Sequence, residues 1–210
     1  MSTSKLAKEI RDTKAYYEKY ADIWAHTHAD SFHDEKEFRV LMQYLNPKAS
    51  VIDIGCASGT LVPLFLGIGR GLRYHGIDIA QKFIKIATQR YPQLLFTKGN
   101  IADYSTLPKK KFDAFLARSI IMHLPFSAWD NVFENIEKIT KPHAYGYIVL
   151  PTLRLPSITP QDDTRHFTLL SEEEQIAFMK KRDWKIVKMF RHATGPNKAH
   201  WIGYIVQLPV

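Results

Sequence analysis

The chain has 210 residues, of which 45% are apolar and 24% charged, a composition typical of one globular domain and not of a disordered segment. No apolar run approaches the ~18 residues that cross a bilayer, and the start of the chain lacks the apolar stretch of a secretory signal. The single cysteine, Cys56, excludes an internal disulfide and a cysteine-based zinc site. The formal net charge of +8 lies partly in short runs at 109–111 and 180–182, without the clustered basic and aromatic residues of a nucleic-acid binder. We therefore expect a single cytoplasmic domain, residues 1–210, with no membrane insertion and no metal.

Apolar spacing predicts the elements in chain order. Residues 5–45 are predicted to be helical, because apolar side chains recur at steps of three and four and no glycine or proline intervenes. Beyond Pro47, short β-branched or aromatic runs alternate with helical patterns. The predicted strands are 50–54, 73–79, 94–98, 112–117, 144–150, 184–190 and 200–208, and the predicted helices between them are 59–68, 80–91, 126–140 and 172–181.

This alternation predicts an α/β fold with a doubly wound, mostly parallel seven-stranded sheet. The two final strands have no helix between them, so we expect the last strand to insert antiparallel. Ser171 and Glu174 have the spacing of a capping box before the last helix. Residues 1–46 are predicted to form a helical flap, and the proline-interrupted loop 151–170 is predicted to be a lid over the strand ends.

Residues 51–59, VIDIGCASG, carry the strongest functional signal. A buried strand ends in Asp53, and Gly55 and Gly59 then flank a turn where a ligand can approach the main chain closely. Ligands of open α/β sheets bind at such strand ends. A dinucleotide fingerprint requires glycine where Ala57 stands, and this departure disfavours a nicotinamide oxidoreductase. A carboxylate beside the turn suits a cationic ligand better than a diphosphate.

VIDIGCASG resembles motif I of the class I S-adenosylmethionine-dependent methyltransferases. HGIDIA places Asp78 like the acidic residue with which that family binds both ribose hydroxyls, and an ionised carboxylate can accept two hydrogen bonds at once. Asn100-Ile101 and FDAFLARSIIMHL resemble its adenine and fourth-strand motifs, and the tail 167–190 resembles small-molecule members. The resemblance implies S-adenosylmethionine as cofactor, held by Tyr17, Asp53, Gly55, Cys56, Ala57, Gly59, Asp78, Ile79, Asn100, Ile101 and Ala117.

YEKYADIW at 17–24 is similar to the family's flap, which closes over the cofactor. A sulfonium is a cation, and aromatic faces attract cations by about 0.5 to 2 kcal/mol. We therefore expect the ring of Tyr17 to lie beside the sulfonium of the cofactor, with Tyr20 or Trp24 as the alternative residue in this role. The competing interpretation is that these rings only pack the helix onto the sheet.

Candidate acceptor residues follow the fourth strand and lie in the lid. His123 is placed where many family members carry a histidine facing the substrate, and an imidazole can act as a general base near pH 7. Packing is the alternative role for His123. Arg118, Arg165 and His166 are candidates to hold an anionic acceptor, and Arg154 lies in the same lid.

The resemblance thus implies methyl transfer to an O, N or S nucleophile of a small molecule. The fourth-strand loop reads ARSI, without the Asn- or Asp-Pro-Pro-aromatic sequence of enzymes that methylate exocyclic amines. Methylation of RNA or protein, and a catalytically silent cofactor-binding subunit, stay open as alternatives.

Overall fold

The computed structural model describes residues 3–28, 35–152, 163–194 and 199–210. The strands are β1 Ser50–Ile54, β2 Arg73–Asp78, β3 Leu95–Lys98, β4 Phe112–Arg118, β5 Thr140–Pro151, β6 Lys185–Thr194 and β7 Ala199–Gln207. The helices are α1 Thr3–Thr27, α2 Glu35–Gln43, α3 Val62–Gly67, α4 Gln81–Arg90, α5 Trp129–Ile139 and α6 Glu172–Lys181. The last helix has the predicted bounds, and both hydrogen bonds of its capping box are present.

The strands form one seven-stranded sheet in the order β3-β2-β1-β4-β5-β7-β6. The pairs β1–β2, β1–β4, β2–β3 and β4–β5 are parallel, whereas β7 is antiparallel to both of its neighbours. The predicted fold class and the antiparallel last strand are therefore confirmed. The order of the strands reverses between β1 and β4, and a ligand cleft is expected beyond the carboxyl ends of these two strands.

Apolar side chains cover both faces of the sheet. One buried cluster joins the sheet to α2, α3 and α4, and a second joins its other face to α5 and α6. The alternation is visible within β4, where Ala114 and Leu116 point into the first cluster and Phe115 and Ala117 into the second. Both faces are thus buried, as a parallel sheet requires.

The N-terminal segment differs from the single helical stretch predicted for 5–45. It contains two helices, and α2 belongs to the core because Phe38, Leu41 and Met42 are buried against the sheet. Only α1 packs over the strand ends, where it contacts α4. The apolar spacing correctly indicated helix throughout but carried no signal that the two helices pack in different places.

Candidate cofactor cleft

A cleft opens where the carboxyl ends of β1, β2 and β4 meet beneath α1. Its walls come from α1, the loop after β1, the ends of β2 and β3, and the loop after β4. The described residues that line it include most of the predicted set, namely Tyr17, Asp53, Gly55, Cys56, Ala57, Asp78, Ile79, Asn100, Ile101, Arg118 and His123. Gly59, Ala117, Arg165 and His166 are not among the lining residues.

The loop after β1 presents its backbone to the cleft. Gly55 has a φ of +74°, and a Cβ on it would lie 2.8 Å from Ile120 Cγ1, so only glycine fits without strain. Gly55 N and Cys56 N both donate to Ile77 O, at 2.8 and 3.0 Å, which ties the loop to β2. Ala57 adopts a φ of +48° although it is not glycine.

Gly59 and Ala117 have structural roles beside the cleft, and their predicted contact with the cofactor stays a prediction. Gly59 turns the chain at a φ of +81°, and a Cβ there would meet the ring of Tyr91 at 2.8 Å. Ala117 is fully buried inside β4 in the core cluster that faces α5. Both residues shape the neighbourhood of the cleft without facing it.

Asp78 is the buried carboxylate at the end of β2. Its Oδ2 accepts from Ala57 N at 3.0 Å and its Oδ1 accepts from Ala80 N at 2.9 Å. Burial raises the pKa of Asp78 to about 6. An ionised carboxylate has about four lone-pair positions, so each oxygen keeps one for a further donor. The side chain thus braces the glycine loop and fits a vicinal diol.

Asp53 lies beside it at the end of β1 and is also buried. Its Oδ2 accepts from the Tyr74 hydroxyl at 2.6 Å. Burial raises the pKa of Asp53 to about 7, against the lowering effect of this hydrogen bond. Two carboxylates in an apolar cleft favour a cationic ligand over a phosphate.

Asn100 and Ile101 form the wall beyond β3, together with Ile79 from β2. Asn100 Oδ1 accepts from Ala102 N at 3.0 Å, which fixes the orientation of the side chain. Cys56 also lines the cleft, and burial raises the pKa of its thiol, so the thiol stays protonated. This end of the cleft therefore offers apolar faces with one oriented amide, as a purine ring requires.

One face of α1 closes the cleft from above. Ile10, Thr13, Tyr17, Trp24 and His28 line it at steps of three, four, seven and four residues, the spacing of one helical face. The indole of Trp24 stacks on the imidazole of His28, with ring centroids 3.8 Å apart. Sequence reasoning named Tyr17 and Trp24 but missed the other three, although the helical spacing was a signal that would have found them.

A carboxylate fixes α1 to α4. Glu18 Oε1 accepts from Gln81 N at 2.7 Å and Glu18 Oε2 accepts from Lys82 N at 3.0 Å. The first N–H groups of a helix lack partners within that helix, and Ala80, the N-cap residue of α4, has no accepting side chain. Glu18 therefore caps α4 from a different helix, a role that sequence reasoning missed.

Tyr17 is the centre of a hydrogen-bonded chain above the cleft. Its hydroxyl lies 2.8 Å from His123 Nε2, and Arg165 Nη1 donates to the same hydroxyl at 3.3 Å. His123 Nδ1 lies 2.9 Å from the carbonyl oxygen of His166. Burial lowers the pKa of His123 to about 4 and raises that of Tyr17 to about 12, so both are neutral near pH 7.

Arg165 is paired within its own segment. Its Nε and Nη2 donate to the two carboxylate oxygens of Asp163, at 2.9 and 2.6 Å. The neighbouring His166 donates its backbone N–H to Thr13 Oγ1 at 2.9 Å. Both residues thus hold the segment to α1, and their predicted contact with an acceptor stays a prediction. Arg154 lies outside the described residues.

Within the described ranges, no group of three or more His, Cys, Asp or Glu residues is placed to hold a metal ion. None of the helices described is long and apolar enough to span a membrane.

Comparison with known proteins identifies a methyltransferase domain over residues 51–143. This range begins at β1 and contains the glycine loop, Asp78, Asn100 and the loop after β4. Among curated proteins, none matches the sequence significantly.

Solved structures share the fold at low sequence identity. The Burkholderia thailandensis 1,6-didemethyltoxoflavin-N1-methyltransferase, with its substrate and S-adenosylhomocysteine bound, is 17% identical, with a TM-score of 0.76 over 100% of this chain and 92% of that one. Magnesium protoporphyrin IX methyltransferase from Synechocystis PCC 6803, with bound S-adenosylhomocysteine, is 15% identical, with a TM-score of 0.64 over 94% and 86%. A chain from a complex between the Haloferax volcanii Trm112 methyltransferase activator and a methyltransferase is 14% identical, with a TM-score of 0.73 over 92% and 98%.

Proposed function

We propose that the chain is a class I S-adenosylmethionine-dependent methyltransferase and that it transfers the methyl group to an O, N or S nucleophile of a small-molecule acceptor. The observation that carries this proposal is the extent of the cleft. Its walls continue past the predicted cofactor residues to Ile10, Thr13, Ile120 and Leu124. The cleft is partly open to solvent, and it combines apolar side chains with a few polar groups, as small-molecule sites do.

Two of the solved structures lend support to a small acceptor. One is named for 1,6-didemethyltoxoflavin and contains it, and another is named for magnesium protoporphyrin IX. The chain from the complex with an activator supports the rival interpretation, in which a partner takes part. A cytoplasmic setting stays a prediction from the sequence.

When bound, S-adenosylmethionine supplies an electrophilic methyl group on a positively charged sulfur. In the proposed assignment, Asp78 accepts from the ribose hydroxyls, Asn100 and Ile101 contact the adenine, and the backbone at Gly55 faces the methionine part. The protein's contribution to such a transfer is to orient the acceptor and exclude water. Helix α1 performs the exclusion, because its apolar face lies over the strand ends.

Two predicted acceptor residues line the cleft. Arg118, at the end of β4, is assigned to an acceptor carboxylate. His123 Nε2 accepts from the Tyr17 hydroxyl, and its lowered pKa makes it a weak base. The geometry therefore supports a role for His123 in holding Tyr17 better than the predicted role of general base.

The function is tested with S-adenosylmethionine carrying a labelled methyl group. The purified chain is incubated with this donor and, in separate reactions, with a small-metabolite extract, total RNA or total protein, and the products are analysed by mass spectrometry. We expect label in a small product. Label in RNA or protein instead would overturn the acceptor class, and binding of donor without any labelled product would favour a silent subunit.

The cofactor assignment is tested by Asp78→Asn. The amide oxygen can still accept from Ala80 N, but the charge and the second acceptor are lost, so S-adenosylhomocysteine binding should weaken by about 1.5 to 3 kcal/mol in calorimetry, the range for hydrogen bonds to a charged group. The matched control is Asp113→Asn. That carboxylate pairs with Lys141 at 2.6 Å at the opposite edge of the sheet and should leave binding unchanged. Equal affinities of wild type and Asp78→Asn would refute the assignment.

A further inference from the structure

Three separate parts of the chain meet at the Tyr17 hydroxyl. Tyr17 belongs to α1, His123 to the loop after β4, and Arg165 to the segment before α6. The Tyr17 side chain also packs against Phe83 of α4, with ring centroids 5.8 Å apart. The ring that faces the cleft is therefore held at its hydroxyl by two elements that do not belong to its own helix.

The direction of this hydrogen-bonded chain follows from its two ends. A guanidinium only donates and a carbonyl oxygen only accepts. Arg165 Nη1 therefore donates to the Tyr17 hydroxyl, and His123 Nδ1 donates to the His166 carbonyl. This leaves His123 Nε2 as an acceptor, so the Tyr17 hydroxyl donates to it. The Tyr17 oxygen thus donates its proton to one neighbour and accepts from the other.

The positive charge of Arg165 is neutralised by an adjacent carboxylate. Its side chain is 12% exposed and lies in an ion pair with Asp163, whose side chain is 2% exposed. The guanidinium carbon is 4.7 Å from the centroid of the Tyr16 ring and 5.0 Å from that of Phe167. A buried pair of this kind is costly to break, because removing one partner leaves the other charge uncompensated.

We infer that Asp163, Arg165 and His123 are positioning residues that hold the Tyr17 ring at the cleft for the positively charged sulfur of the cofactor. The inference rests on the proposed function. Asp163 has a second role, which is to neutralise the charge of Arg165, because an unpaired guanidinium beside Tyr17 would repel a cationic ligand. With this arrangement, the cleft should prefer a ligand whose reacting end carries a positive charge.

The test compares two ligands that differ at this sulfur. S-adenosylmethionine is cationic there, whereas S-adenosylhomocysteine is neutral, and calorimetry gives the ratio of their affinities without any acceptor. Asp163→Asn should lower this preference for the cation by on the order of tenfold, because the guanidinium loses its counter-charge. The double variant Asp163→Asn/Arg165→Gln removes both charges and should recover most of the preference lost in the single variant.

Tyr17→Phe is a second test of the inference, and this substitution removes only the hydroxyl oxygen. It keeps the ring but not its two hydrogen bonds, and should lower the same ratio about two- to fivefold, a fraction of a full cation–π contact. Tyr44→Phe, on a ring that is 39% exposed after α2, and Asp113→Asn are the matched controls and should leave the ratio unchanged.

A parallel loss of both affinities in Asp163→Asn and Tyr17→Phe, with the ratio constant, would overturn the inference and leave a purely structural role. If Asp163→Asn does not fold, as judged by thermal unfolding, the ratio measured for Tyr17→Phe decides alone. A wild-type chain that binds neither ligand would refute the proposed function instead, so the two failures are distinguishable.

Discussion

Gly55 allows the chain to turn from β1 into the cleft. Its φ of +74° costs an ordinary residue about 1 to 2 kcal/mol. A Cβ would also press against Ile120, and overpacking adds roughly 1 to 3 kcal/mol. We expect Gly55→Ala to lower the free energy of unfolding by about 2 to 5 kcal/mol and to weaken S-adenosylhomocysteine binding, as measured by urea unfolding and calorimetry.

Gly69→Ala is the matched control for this substitution. Gly69 has a φ of +65°, and a Cβ there would meet nothing within 4 Å. It should show the backbone strain alone, a loss of about 1 to 2 kcal/mol, with unchanged ligand affinity. Equal losses in the two variants would show that Ile120 moves aside and that the glycine is needed only for its conformation.

The sequence predicted residues of the cleft well where one backbone turn fixes them. Asp53 and Asp78 lie at strand ends and Gly55 directly follows one, and parallel strands bring their carboxyl ends to the same edge of the sheet. Arg165 pairs with Asp163, only two residues away, and nothing in the sequence distinguishes an arginine paired within its own segment from one that faces a ligand. Side-chain pairing of this kind is decided by tertiary packing.

Helix α1 is docked onto α4 by side chains that cap α4 or form ion pairs with it. Glu18→Ala removes the acceptor of two backbone N–H groups at the start of α4. Loss of a helix cap costs about 0.5 to 2 kcal/mol, and we expect that loss in thermal unfolding, together with faster hydrogen exchange along α1. Asp22→Ala is the control, because Asp22 pairs with Lys82 at 2.6 Å but is 70% exposed, and such pairs contribute about 0 to 1 kcal/mol.

If α1 keeps its full protection from hydrogen exchange in Glu18→Ala, its apolar face alone is sufficient to dock the helix.

Helix α1 also shows what apolar periodicity cannot predict. The apolar spacing indicated helix over 5–45, but the contact between Glu18 and α4 joins residues more than sixty positions apart. Local patterns predict that an element exists, whereas its docking depends on partners that only the fold brings near.

At the scale of the whole molecule, the alternation of strands and helices was sufficient to predict the sheet. Parallel strands need crossover connections, usually helices, so helices between successive strands favoured parallel pairing. The absence of a predicted helix between the last two strands allowed β7 to enter between β5 and β6. The same arrangement buries titratable side chains at both ends of the strands. Their protonation links the stability of the fold to pH.

Between about pH 6.5 and 4, the buried histidines and the buried aspartates have opposite effects on the free energy of unfolding. Burial lowers the pKa of His75 and His123 from 6.5 to about 4, so in this window the unfolded chain binds these protons and the folded chain does not. Burial raises the pKa of Asp53 and Asp78 from 3.8 to about 7 and 6, so there the folded chain holds the protons. Acidification therefore costs stability through the histidines and adds stability through the aspartates, and the free energy of unfolding should change little.

Asp53→Asn removes one of the two aspartates from this balance and leaves Asp78 against the two histidines. Its amide oxygen still accepts from Tyr74, but the folded variant no longer takes up a proton, so the unfolded chain binds about one more than the folded chain. The free energy of unfolding should then fall by about 1.4 kcal/mol per pH unit as the pH decreases from 6 to 4.5. Urea unfolding at half-unit intervals measures this slope, with Asp22→Asn as the exposed control. A variant profile as flat as that of the wild type would show that Asp53 is ionised in the folded protein throughout this range.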